Sequence, residues 1–95
     1  MLLVERTDLG LKNYIEVYEE DDYKYIVTFE EPRTHIEAVS KYPYRPSVSM
    51  IDGGAASVFF ESEPFSEEMI DEYIDRLNIA KHVIKRIREE FFPGW

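Results

Sequence analysis

Few side chains in this sequence are of the types that do covalent or metal chemistry, and their spacing is poor for it. There are two histidines and no cysteine. Thiolate nucleophiles, disulfides and cysteine zinc sites are therefore excluded. His82 has Asn78 and Arg86 one helical turn away, and neither ligates a metal at that spacing. His35 has Glu37 beside it and no further donor nearby in sequence. A zinc site needs three or four convergent ligands, so both histidines read as surface residues. No serine sits in a Gly-x-Ser-x-Gly elbow. Gly53-Gly54 lacks the Lys-Ser/Thr of a phosphate loop and opens no helix, which leaves a hairpin turn as its reading. Glu19, Glu20, Asp21 and Asp22 lack the alternating ligand spacing, the glycine and the final glutamate of a calcium loop. With 20 acids in the chain some close carboxylate pair is inevitable, so acid–base catalysis has no signal of its own. No enzymatic activity, metal or cofactor is expected.

The residues do offer contact chemistry. The seven tyrosines gather early, at Tyr14, Tyr18, Tyr23 and Tyr25, followed by Tyr42, Tyr44 and Tyr73. Tyrosine presents a large apolar body with a polar tip, which suits interfaces as well as cross-strand packing. Acids cluster on the same stretch, and residues 1–33 hold nine acids against four bases. The whole chain carries 11 basic and 20 acidic residues, a net charge of −9, which repels phosphate backbones and favours a basic protein partner. Glu16, Tyr18, Glu19, Glu20, Asp21, Asp22 and Tyr23 are the expected partner-binding residues.

The elements that must position these residues follow from pattern. Residues 66–92 contain neither glycine nor proline and are stopped by Pro93-Gly94. Ser66 is a good N-cap, and Phe65 with Ile70 fits a hydrophobic staple. Ile70, Tyr73, Leu77, Ala80, Ile84, Ile87 and Phe91 alternate spacings of three and four, which predicts one long amphipathic helix. Acids fill its first half and bases follow, as the helix dipole favours. Upstream, Leu2–Arg6 reads as a short strand and Asp8-Leu9-Gly10 as a turn. Leu11–Glu19 and Asp22–Glu30 alternate as strands around an exposed Glu20-Asp21-Asp22 loop. Thr34–Tyr42 fits either a capped helix or an extended segment, and the extended reading is favoured. Ser47–Ile51 and Ala55–Glu61 flank Asp52-Gly53-Gly54 as a second hairpin.

The expected fold is therefore α+β: a small antiparallel sheet of four to five strands covered by one long C-terminal helix. Residues 1–95 form one domain, with sheet hairpins over 1–62, the helix over 66–92 and an aromatic tail over 93–95. A helix of this length spans about 39 Å, against roughly 23–30 Å for strands of seven to nine residues. It should overhang the sheet at the end bearing Val83, Ile84, Ile87, Phe91, Phe92 and Trp95. Those residues are the expected interface of a symmetric homodimer.

No run is long and apolar enough to span a membrane, and the first residues do not read as a secretory signal, so a cytoplasmic location is expected. The function best matched by size and charge is a small interaction protein that inhibits or antagonises a basic, nucleic-acid-binding protein, as phage or mobile-element anti-defence proteins and immunity proteins do. One alternative is a dimeric single-stranded nucleic-acid-binding module, because strands followed by a dimerising helix resembles the layout of a transcriptional-coactivator fold. The sparse bases on the strands and the net charge oppose it. A second alternative is a small-ligand carrier or enzyme with a pocket between helix and sheet.

Overall fold

The computed structural model describes residues 1–42, 45–60 and 66–94. Within them the chain forms β1 (Leu2–Gly10), β2 (Asn13–Glu20), β3 (Tyr23–Glu30), β4 (Arg33–Ser40), β5 (Ser47–Ile51), β6 (Ala55–Phe59) and α1 (Glu67–Phe91). The six strands pair in chain order as an antiparallel meander. The α+β class is as expected, but the sheet has six strands and not four to five. Part of the difference is the ambiguous Thr34 segment, which is extended and becomes β4. β1, expected to stop at Arg6, continues through the expected turn at Asp8-Leu9-Gly10 with a register shift between Asp8 and Gly10, and Gly10 has φ 84°. The chain turns instead at Leu11 and Lys12, whose φ angles of 51° and 70° are both left-handed. Neither residue type favours that region, and the local signal is Gly10, left-handed immediately before the turn. The second hairpin behaves as expected, with Asp52 at φ 53° and Gly53 at φ 79°.

Pleat alternation sorts the sheet into two faces. Tyr23, Tyr25 and Val27 of β3, Ile36 and Ala38 of β4, and Val48 and Met50 of β5 are buried on one face. Ala80, Val83 and Ile87 of α1 close over them. The spacing of three and four among these helical residues puts them on one line down the helix. The buried Tyr23 hydroxyl donates to the Pro46 carbonyl at 2.6 Å, so that core carries its phenol without an unpaired polar atom. Burial is the first cause that pushes the Tyr25 phenol up to about 12.

The helix begins where Ser66 Oγ accepts from the Met69 amide at 3.3 Å. It ends with the Phe92 amide bonded to the Arg88 carbonyl at 3.0 Å. The staple residue Phe65, the tail residue Trp95, and Pro43 and Tyr44 of the proline-bounded turn lie outside the described residues.

Only the second half of α1 is seated. Ile70, Ile74 and Leu77 are 46%, 49% and 42% exposed, whereas Val83 and Ile87 are 5% and 0%. The Cα trace extends 50 × 24 × 19 Å. Five strand spacings account for about 24 Å and the longest strands for about 30 Å, so the long axis requires the helix to project. The overhang is therefore real, but at the opposite end from the one expected. The C-terminal half meets the aromatic side chains of β2 and β3, with Phe91 edge-on to Tyr18 at 5.2 Å between ring centroids. The N-terminal half touches the end of the sheet through Tyr73 and Phe60, 4.4 Å apart.

Candidate protein-interaction face

The expected partner-binding residues are largely occupied within the chain. Glu20 receives Arg86 through two bonds, Nε to Oε2 at 2.6 Å and a terminal nitrogen to Oε1 at 2.8 Å. The N-terminal ammonium of Met1 lies 3.3 Å from the same carboxylate. Arg86 is the main cause holding the Glu20 carboxyl below the usual glutamate range, and Glu20 in turn raises the Arg86 guanidinium. Glu16 pairs with Arg6 at 3.2 Å, and Asp22 with Arg45 at 2.9 Å. Glu19 lies between Lys24 at 3.7 Å and Lys41 at 3.5 Å. Tyr18 is half-buried against Phe91 and Tyr23 lies in the core, burial raising both phenols. Asp21 sits at the tip of the hairpin with φ 52°. The first hairpin thus brings its acids together with bases from four other parts of the chain. Its charge serves to anchor α1 and the Met1 end to the sheet.

The expected oligomer residues are placed differently again. Val83 and Ile87 are buried in the chain's own core, and Ile84, Phe91 and Phe92 are partly buried beside it. Trp95 lies outside the described residues. Neither histidine joins a ligand set. His82 is exposed, and His35 Nε2 lies 2.6 Å from Ser49 Oγ on the sheet. Among the described residues no group of three or more His, Asp or Glu side chains is placed to hold a metal ion. An open groove of about 470 Å³ between α1 and the β2–β3 turn is lined by Asp22, Arg45, His82, Arg86 and Glu89 among others. Within it Arg86 faces Glu20 and Glu90, Arg45 faces Asp22, and Lys85 faces Glu89.

The surface that sequence reasoning missed is the other face of the sheet. Directly opposed residues of antiparallel strands share a face, and the register builds it row by row. Thr7, Ile15, Thr28, His35 and Ile51 form one row. Glu5, Val17, Ile26, Glu37 and Ser49 form the next. Leu2, Glu19, Lys24 and Val39 form a third. Among the described residues no element covers these rows. Ile15, Val17 and Ile26 are half-buried by their neighbours alone, while Val39 and Ile51 are 37% and 43% exposed. Glu5, Glu30 and Glu37 are exposed on this face, with Lys24, Arg33 and, against Glu19, Lys41 as its bases. The result is a β platform with an apolar centre and a charged surround in which acids are in slight excess.

A signal for it was present in the sequence. Strands β2 and β3 carry large apolar residues on both faces, Tyr14 and Tyr18 against Ile15 and Val17, and Tyr25 against Ile26. One helix can cover only one of them. The register also puts Tyr14, Tyr18, Tyr23 and Tyr25 on the helix face, so the bare platform lacks the tyrosines that would stack bases. No helix among the described residues is long and apolar enough to cross a membrane. No family model matches the chain, and neither a curated protein nor a solved structure matches it.

Proposed function

We propose that this chain is a small acidic protein-interaction module that docks a basic protein on the bare face of its sheet. The observation that carries this reading is the platform itself. Ile15, Val17 and Ile26 lie uncovered at its centre, and around them the acids Glu5, Glu19, Glu30 and Glu37 slightly outnumber the bases Lys24, Arg33 and Lys41, with Glu19 held between Lys24 and Lys41 and Glu5 and Glu37 exposed. An apolar centre excluded from water by a charged rim is the arrangement protein interfaces use. Acidic rim charges speed encounter with a basic surface and make binding sensitive to salt. A basic surface covered in this way can no longer hold nucleic acid, which is how such a module acts as an antagonist.

The test is affinity capture from the native host with wild type and with the double substitution Val17→Lys/Ile26→Lys. Both positions lie on the open face, so melting temperature serves as the folding control. The reading expects a basic protein held by wild type, lost by the double variant, and released as salt rises from about 50 to about 300 mM, where the Debye length falls from about 14 to about 6 Å. A captured partner that survives both the substitutions and the salt refutes it.

A further inference from the structure

The projecting half of α1 carries a second surface, on a different side of the molecule from the sheet platform. Its exposed residues Ile70, Ile74 and Leu77 continue through Lys81, Ile84 and Arg88 with alternating spacings of four and three. That is a heptad seam. At about 100° per residue it lies roughly a quarter turn around the helix from Ala80, Val83 and Ile87, so the core-facing line and the seam do not compete.

The two halves of the seam differ in chemistry. The first half sets Ile70, Ile74 and Leu77 beside the exposed acids Glu67 and Asp71 on one flank, while Glu68 and Asp75 lie round the far side of the helix. Along the second half runs a groove of about 610 Å³ lined by Lys81, Ile84, Lys85, Arg88, Glu89, Phe92 and Pro93. One half is an acidic apolar ridge; the other is a groove with an apolar floor in which Arg88 is held by the Gly53 and Gly54 carbonyls, and the exposed Lys81 and Lys85, the latter 3.9 Å from Glu89, supply the outward positive charge.

We infer that a second copy of this chain occupies the seam, with the two helices antiparallel and crossing near Ile74 and Leu77. In that arrangement Ile74 of each copy packs on Leu77 of the other. Glu67 and Asp71 of each copy face Lys85 and Lys81 of its mate. The contact is isologous, so the complementary pair of surfaces is used twice and the assembly closes at two chains. A second copy is favoured over another occupant because this chain itself supplies both the ridge and the groove, on one helix, at a spacing antiparallel pairing satisfies. A parallel pairing would set acids against acids and bases against bases, which is unfavourable. The bare sheet faces, lying opposite the helices, stay outside the contact. The dimer does not rest on the proposed function, and either reading can fail without the other.

Three-chain mixing by analytical ultracentrifugation tests it. Wild type is expected to move from 11.3 kDa towards twice that mass between about 1 and about 200 μM, the range for a modest interface of this kind. The double reversal Glu67→Lys/Asp71→Lys is expected to stay monomeric, as is Lys81→Glu/Lys85→Glu. An equimolar mixture of the two reversed chains restores every opposite-charge contact, so it is expected to sediment as a heterodimer. Circular dichroism confirms that each chain is folded. Ile74→Asp, at an exposed position, serves as a second disruptor that leaves the charges intact. A wild type monomeric throughout, reversed chains that still self-associate, or reversed chains that fail to pair when mixed would each overturn the inference.

Discussion

Breaking the Glu20–Arg86 clamp should undock the helix from the sheet edge by a measurable and pH-dependent amount. The pair joins the end of β2 to the seated half of α1, 66 positions apart in sequence, through the two short bonds and with side chains 24% and 32% exposed. Fully exposed pairs couple by up to about 1 kcal/mol. Removing one partner of a buried pair costs about 3–5 kcal/mol. This clamp lies between those limits, and its bidentate geometry places its coupling at about 1–2 kcal/mol. Glu20→Gln should cost somewhat more than the coupling, about 2 kcal/mol, because Met1 and Arg86 both lose their carboxylate. Arg86 retains Glu90 at 3.1 Å, which limits the loss. For a domain of this size the melting temperature should fall by about 8–16 °C.

The assay is a double-mutant cycle with Glu20→Gln, Arg86→Met and the double variant, by urea denaturation at neutral pH and again near pH 3. The Glu20 carboxyl is held below its ordinary value of 4.5, chiefly by Arg86. A depressed folded-state value means the stabilisation is fully present above about pH 4.5 and is lost as pH falls through the folded value. The coupling should therefore stand at neutral pH and shrink in acid. Coupling under about 0.3 kcal/mol at neutral pH, or coupling that is unchanged in acid, refutes the clamp.

Two further outcomes follow from the core and from the first turn. The Tyr25 phenol is pushed up to about 12, so folding stability should hold below about pH 10 and decline as pH rises towards 12, by about 1–2 kcal/mol after allowance for screening. Tyrosinate absorbance should show a late-titrating phenol that vanishes in Tyr25→Phe, and an early, uniform titration would contradict it. At the β1–β2 turn, Leu11 is 92% exposed and both Leu11 and Lys12 are left-handed. Leu11→Asn/Lys12→Gly should raise stability by about 1 kcal/mol, read as a higher melting temperature, and a lower one would mean the turn residues hold contacts of their own.

How much of this was legible in the sequence depended on whether a residue's local preference agreed with its final environment. The β2–β3 and β5–β6 hairpins alternate cleanly and turn at Asp21-Asp22 and Asp52-Gly53-Gly54, so pattern alone located them. The helix announced itself through Ser66, its spacing and Pro93-Gly94. Leu11 and Lys12 turn the chain against their own preferences, so pairing with β2 must impose that turn, and the signal in the pattern, Gly10, lies just before it. The acids of the first hairpin looked like a presented charge because sequence shows Glu20 and Arg86 as strangers. Only the fold brings them together. The Ile15, Val17 and Ile26 face went unseen for a related reason: alternation reveals that a strand has two faces, but the number of covering elements decides which one stays bare.

The helix shows why the charge pattern alone was insufficient. Acids in the first half and bases in the second half satisfy the helix dipole in any isolated helix, so that gradient by itself points to no partner. The dipole has nothing to say about apolar side chains. Ile70, Ile74 and Leu77 stand nearly half exposed beside those acids, on the part of α1 that reaches past its own sheet. Had the chain needed α1 only as a cover, a helix beginning near Arg76 would have supplied Ala80, Val83 and Ile87 to the core just as well. The extra turns add apolar surface that the chain's described residues do not bury. Together with the groove beside Ile84 and Phe92, they turn an uninformative gradient into two complementary surfaces, which is why the antiparallel pairing is tested by reversing the charges and by inserting Asp at Ile74 separately.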